Sequence, residues 1–109
     1  MGLSIKMGTV YLIHFDNPIS DKHTTQHYIG YSTQAPYRRL EAHRNNCGAR
    51  LTQVANDRGI GYDIARCWHG NKSDERYLKN LKCGPRLCPV CNGQAYSPKK
   101  LKEKKRWKL

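Results

Sequence analysis

Three stretches of the chain alternate apolar and polar positions with a period of two, which is typical of half-buried strands. They are residues 8–15 (GTVYLIHF), 26–32 (QHYIGYS) and 60–68 (IGYDIARCW). In the first stretch Tyr11 and Ile13 fall on one face, and in the third the alternation predicts that Ile64 and Trp68 share a face. The polar loop between the first two stretches indicates an antiparallel pair.

Between and after these strands the apolar residues recur with helical spacing. Helices are expected from Pro36 to near Gly48, over residues 49–58 and over Asp74–Lys82. Ser32 or Thr33 is the expected N-cap of the first helix, and Ser73 that of the third. The element order β-β-α-α-β-α predicts a small α/β sandwich, a three-stranded antiparallel sheet flanked by helices.

The composition of the chain indicates what kind of partner the protein binds. The chain has 109 residues and a net charge of +12, which favours an anionic polymer or an acidic surface as partner. Residues 99–109 hold seven of the 20 Lys and Arg residues and one acid, a net +6, so the rest of the chain is basic as well. The sequence offers no apolar run of membrane-spanning length, so a cytoplasmic or nucleoid location is expected.

Five cysteines suggest metal binding rather than a closed disulfide framework, because their number is odd. Cys83, Cys88 and Cys91 read C-x4-C-x2-C, and a C-x2-C pair can present two thiolates to one zinc ion. Cys67 or His69 is the expected fourth ligand. The competing interpretation is a reduced turn whose cysteines pack as small apolar residues.

Four separated groups carry possible chemistry: Tyr11, Tyr28 with Gly30, Arg39 and Glu75. Each has an ordinary structural explanation when taken singly, since tyrosines are common in strands and Glu75 can pair with Lys79 one turn away. A glycine inside a strand also needs a reason, because it weakens pairing and often marks a bulge or a close approach of a ligand.

Taken together, these groups resemble the GIY-YIG nuclease superfamily. TVY at Thr9–Tyr11 stands for the G-I-Y triplet, and Tyr28–Gly30 is an intact Y-I-G. An arginine follows in the R-L-x-x-H context RLEAH (39–43), and a glutamate in the E-x-x-L-K context ERYLK (75–79). The resemblance covers residues 8–82. It departs from the family pattern in the missing first glycine and in a long loop between the two tyrosines.

The resemblance implies a divalent-metal-dependent endonuclease that hydrolyses phosphodiester bonds in DNA, with RNA left open as a substrate. It implies Mg²⁺ or Mn²⁺ on Glu75, Tyr11 as general base, Arg39 at the phosphate, and Tyr28 at the phosphate or the nucleophilic water. His43 lies one turn beyond Arg39 and is a further catalytic candidate, in a second-sphere or proton-relay role, with an ordinary amphipathic helix residue as the alternative. The glycine is then expected to let the nucleic acid come close. The expected nucleic-acid-binding residues are Gly30, Lys79, Lys99, Lys100 and Arg106.

The same features also predict how the chain is divided and which alternative function it could have. The chain divides into the nuclease-like part 8–82, a Cys-rich knuckle at 83–95 and a basic, mobile tail at 96–109. A targeting partner or a homodimer could supply specificity that so small a domain lacks. The alternative function is a non-catalytic, zinc-knuckle-like module that binds nucleic acid through the same basic surface.

Overall fold

The computed structural model describes residues 8–20 and 25–105. Its elements are β1 (Gly8–Phe15), β2 (His27–Ser32), α1 (Pro36–Arg44), α2 (Arg50–Asp57), β3 (Tyr62–Gly70), α3 (Lys72–Leu81), α4 (Gly84–Leu87) and β4 (Lys102–Glu103). None of the helices in this part of the chain is long and apolar enough to span a membrane.

The strands form one antiparallel sheet in the order β2-β1-β3-β4. The predicted class, an α/β domain with an antiparallel sheet flanked by helices, is confirmed, with four strands instead of three. The fourth strand escaped prediction because it is only two residues long and lies in a lysine-rich stretch without alternation. In β1, Tyr11 stands directly opposite Gly30 of β2 and Cys67 of β3.

A register irregularity in the pairing of β1 with β3 changes which side chains share a face. Leu12 pairs with Arg66 but Ile13 pairs with Ile64, so Ala65 is an extra residue in β3. The bulge reverses the alternation beyond it, since an inserted residue sends every later side chain to the other face. Trp68 therefore packs on the face opposite Ile64, and the prediction that the two align was wrong.

Each face of the sheet buries its own apolar cluster. On one face Tyr11, Ile13 and Phe15 pack against Leu40 of α1 and Ala55 of α2. The other cluster brings β1 and β3 together with α3, α4 and the C-terminal segment; it contains Val10, Leu12, Ile29, Trp68, Leu78, Leu87, Cys88 and Leu101. Strand β1 thus carries side chains into both layers. Tyr11, near its middle, is paired with β2 and β3 and packed against the helices of one layer.

The helix caps differ from those predicted. α1 begins after Ala35, which makes no side-chain cap, and Pro36 takes the first turn, where a missing N–H is not needed. α3 is capped by Asn71, whose side chain accepts from the Asp74 N–H while Asp74 accepts from the Asn71 N–H. Ser32, Thr33 and Ser73 are therefore not the caps.

A buried arginine ties the C-terminal segment to the sheet. Arg66 is 4% exposed and donates to the carbonyls of Leu87 and Tyr96 and to the Ser97 hydroxyl. It also forms an ion pair with Glu103, with nitrogen and oxygen 2.8 Å apart. Residues 96–105 are thus part of the packed domain, which corrects the expectation of a mobile tail beginning at residue 96. The expected contact residue Arg106 lies outside the described residues.

Candidate functional site

Tyr11 lies at the centre of the candidate site, 1% exposed, on the middle of β1. A Cβ added to Gly30, its cross-strand partner, would collide with the Tyr11 ring and hydroxyl. The glycine is therefore small because the tyrosine ring crosses over it. The space above Gly30 is filled by protein, which corrects the expectation that nucleic acid approaches there.

Two side chains of α1 reach the Tyr11 hydroxyl oxygen. Arg39 donates to it from Nε at 3.3 Å, and His43 Nε2 lies 2.8 Å from it. Positions four apart on a helix share a face, so one turn of α1 is enough to place both groups. A second Arg39 nitrogen donates to the Cys47 carbonyl at 3.4 Å. The remaining guanidinium N–H groups have no partner among the described residues.

The other ring nitrogen of His43 is also held. Its Nδ1 lies 3.0 Å from the Thr52 hydroxyl and accepts from the Ala49 N–H at 3.3 Å. The Thr52 hydroxyl in turn donates to the Ala49 carbonyl at 2.8 Å. Gly48 makes room for this arrangement, because a Cβ there would collide with the imidazole.

The neutral imidazole consequently has partners in both tautomers. With the hydrogen on Nδ1, it donates to Thr52 and accepts the Tyr11 phenol hydrogen at Nε2. With the hydrogen on Nε2, Nδ1 accepts from Ala49 and Nε2 donates to a Tyr11 phenolate. A neutral His43 can therefore accept a hydrogen bond from the Tyr11 phenol in one tautomer and donate one to the Tyr11 phenolate in the other.

Burial sets the protonation of this pair. It raises the pKa of Tyr11 to about 12, against the lowering effect of the Arg39 hydrogen bond. Burial, followed by the charge of Arg39, lowers the pKa of His43 to about 4. At neutral pH the free protein therefore holds a neutral phenol against a neutral imidazole.

Tyr28, Lys79 and Glu75 complete the cluster. The Tyr28 ring lies 6.4 Å from that of Tyr11 and 5.7 Å from that of His43, and its hydroxyl has no partner among the described residues. Lys79 Nζ lies 5.6 Å from the Tyr28 ring centre and 3.2 Å from a carboxylate oxygen of Glu75. The Glu75 charge is close enough to raise the pKa of Tyr11, as its last contributor. All five residues predicted to be catalytic therefore lie together.

Of the expected nucleic-acid-binding lysines, Lys79 belongs to α3, the helix that carries Glu75, and Lys100 contacts this helix. Lys100 Nζ is 4.6 Å from the ring centre of Tyr77 on α3, and Lys99 beside it is exposed. The C-terminal segment thus adds its cations to those of α3 itself.

A second cluster lies at the far end of the β1–β2 pair, where His14 and His27 are direct cross-strand partners. Their ring nitrogens, together with the sulfurs of Cys88 and Cys91, all lie within 4.8 Å of one another. These four side chains could hold a metal ion. Burial, with His14 beside it, lowers the pKa of His27 and keeps that imidazole neutral and able to ligate.

This cluster corrects the predicted ligand set. Cys88 and Cys91 belong to it, as the C-x2-C spacing indicated, but Cys83 does not. Cys67 is fully buried on the Tyr11 face, where burial raises the pKa of its thiol to about 12, and His69 is also outside the group. The two histidines were missed because the long loop between the strands leaves the pairing register undetermined from the sequence. If Tyr11 had been assumed to pair with Gly30, the same register would have paired His14 with His27.

Comparisons of the chain with protein-family models, with curated proteins and with solved structures found no match. The residues and their geometry therefore carry the whole case for a function.

Proposed function

We propose that the protein is a divalent-metal-dependent endonuclease of the GIY-YIG type that hydrolyses phosphodiester bonds in DNA. One observation carries the proposal: residues from four separate elements converge around one phenolic oxygen. They are Tyr11, Tyr28, Arg39, His43 and Glu75. A binding module has no need of a buried tyrosine held by both a guanidinium and an imidazole, nor of a carboxylate that would repel phosphates.

The chain's own groups divide the work as follows. The unpaired N–H groups of Arg39 contact the scissile phosphate and stabilise the charge that develops on it. Tyr11 takes the proton of the attacking water, and the Arg39 and His43 donors hold the phenolate that this role requires. Tyr28, whose hydroxyl has no partner in the described part of the chain, positions the phosphate or the water.

Glu75 is suited to hold a hard cation. Its side chain is partly exposed, so a cation could reach the carboxylate, and the only ion-pair partner it has in the described structure is Lys79. Bound there, Mg²⁺ or Mn²⁺ would supply positive charge to the phosphate and the phenolate. Such charge favours the ionised phenol, which burial alone disfavours.

One observation favours the alternative of a non-catalytic nucleic-acid-binding module. Without a cation, the pKa of Tyr11 is raised to about 12, so the free protein holds no ready base at neutral pH. The two proposals differ in a single measurable property, which is turnover in the presence of Mg²⁺.

The test measures cleavage and binding separately on labelled DNA and RNA oligonucleotides. Glu75→Gln should abolish Mg²⁺-dependent cleavage and leave binding equal or tighter, because a negative charge is removed beside the phosphate. The control is Glu41→Gln, which removes an exposed acid of α1 outside the cluster and should leave cleavage intact. Near-normal cleavage by Glu75→Gln would contradict the metal assignment, and cleavage of RNA alone would contradict the substrate assignment.

We also propose that the ion held by His14, His27, Cys88 and Cys91 is a structural zinc. Zinc bonds of about 2.0 Å to nitrogen and 2.3 Å to sulfur place tetrahedral ligand atoms about 3.3 to 3.8 Å apart. The two ring nitrogens are 3.3 Å apart, and three of the four nitrogen–sulfur distances are 3.5, 3.6 and 3.4 Å. Two thiolates and two imidazoles leave no open position, as in structural sites.

Metal analysis tests this second proposal. The purified protein should contain about one zinc per chain, and His27→Gln, Cys88→Ser and Cys91→Ser should each lose it. Cys83→Ser and Cys47→Ser are the matched controls and should retain it, because neither residue belongs to the cluster. Zinc retained by Cys91→Ser but lost from Cys83→Ser would refute this ligand set.

A further inference from the structure

A cleft of 460 Å³ opens beside the candidate catalytic cluster, between β2 and the C-terminal end of α3. Tyr28 and Lys79 of the candidate catalytic cluster line it, and so does Lys82. Its wall also includes the chain that enters α4, where Gly84 lies close against the His27 ring. The cleft thus runs from the catalytic residues toward the metal-binding cluster.

Lys82 holds an unusual backbone conformation at this position. It follows the last turn of α3 with φ 51° and ψ 39°, the left-handed region that glycine and asparagine adopt with least strain. Its side chain is exposed and makes no ion pair or hydrogen bond with any described residue. Local structure therefore gains little from a lysine here, whereas an exposed cation that lines the cleft suits an anionic ligand.

We infer that this cleft binds the phosphate backbone of the nucleic-acid strand next to the cleaved bond, with Lys82 as a phosphate contact. The inference rests on the proposed nuclease function and names the part of the substrate that this surface takes. A lysine bound to phosphate fixes the strand's register without reading its sequence. The cleft wall at Gly84 and Pro85 leads through α4 to Cys88, so a metal ion bound by the cluster would fix this wall against β2.

Lys82→Asn separates this role from a structural one, because asparagine tolerates the left-handed conformation but carries no charge. Both it and Lys82→Arg are made on the cleavage-blocked Glu75→Gln background. Affinity for a fluorescein-labelled DNA duplex is measured by anisotropy across a KCl series. Lys82→Asn should bind several-fold more weakly at low salt, with the slope of log K against log salt shallower by about 0.9, the value for one phosphate. Its melting temperature should be unchanged or higher, and Lys82→Arg should bind as the parent does.

Arg58→Gln is the charge-matched control, since Arg58 follows α2 and lines a separate cleft that shares no residue with the one beside α3. It should leave the slope unchanged. If Lys82→Asn alters affinity and slope no more than Arg58→Gln does, the inference is wrong. The proposed function is then still supported, provided that the Glu75→Gln parent binds the duplex and the wild type cleaves it. If the parent binds no DNA and the wild type cuts none, the proposed function fails, and the inference fails with it.

Discussion

Replacing Gly30 by alanine tests how the candidate site is built, because the new Cβ would enter the space of the Tyr11 ring. Tyr11 is 1% exposed, and its hydroxyl is held by Arg39 and His43, so the ring cannot move aside freely. Inserting a carbon into a well-packed interior costs about 1 to 3 kcal/mol. For a domain of this size each kcal/mol lowers the melting temperature by about 4 to 8 °C.

The assay is urea unfolding followed by far-UV circular dichroism at a fixed zinc concentration, since a bound metal also shifts the transition. Gly93→Ala is the control, because a Cβ at Gly93 meets no atom within 4 Å. Its effect should stay within about 0.5 kcal/mol.

A double-mutant cycle with Tyr11→Leu isolates the contact. With leucine at position 11 the aromatic ring is gone, so Gly30→Ala should lower the free energy of unfolding by much less. The difference is a coupling of about 2 kcal/mol between the two positions. Unfolding of Gly30→Ala at the same urea concentration as Gly93→Ala would show that the ring does not cross the glycine. The glycine of the Y-I-G triplet would then have no packing role.

Two further predictions concern stability. The pKa of His43 is about 4 in the folded chain and about 6.5 unfolded, so the unfolded state takes up a proton first as pH falls, and stability should drop between those values by at most about 1.4 kcal/mol per pH unit. In His43→Gln this loss of stability with falling pH should be absent. If the urea midpoints of wild type and His43→Gln fall by the same amount from pH 7 to pH 4, the neutral, buried imidazole is contradicted. Removing residues 99–109 should destabilise the domain by about 3 kcal/mol or more, because Arg66 loses Glu103 and the core loses Leu101. Lys99→Gln, which changes an exposed side chain of the same segment, should leave the urea midpoint nearly unchanged. A truncated chain that unfolds at the same urea concentration as Lys99→Gln would refute the packed C-terminal segment.

The sequence predicted the elements that build the candidate active site because their signals are local. The alternation around Tyr11 and Tyr28 identified the two strands, and the i, i+4 spacing of Arg39 and His43 placed both on one helix face. That these groups lie together was expected only from the resemblance to the GIY-YIG superfamily, because local spacing does not specify contacts between separate elements.

What the sequence could not supply depends on contacts between distant segments. The bulge at Ala65 has no local marker, and it decides the face that Trp68 takes. His14 and His27 become metal-ligand candidates only when the β1–β2 register and the position of the Cys88 turn are both known. Arg66 reads as an ordinary strand charge until Glu103 and three further acceptors surround it.

The central claim is that residues around Tyr11 form a metal-dependent catalytic site, and a plasmid-nicking assay tests it most directly. The full chain, purified without a chelator, is incubated with supercoiled DNA with Mg²⁺ added or simply omitted, since a chelator would also remove any metal ion bound by the His14, His27, Cys88 and Cys91 cluster. We predict nicked plasmid only with Mg²⁺, and a loss of about 10²-fold or more for Tyr11→Phe, the scale of a removed general base. Wild-type protein that binds the plasmid in Mg²⁺ and leaves it intact, or a Tyr11→Phe variant that nicks at the full rate, would contradict the claim.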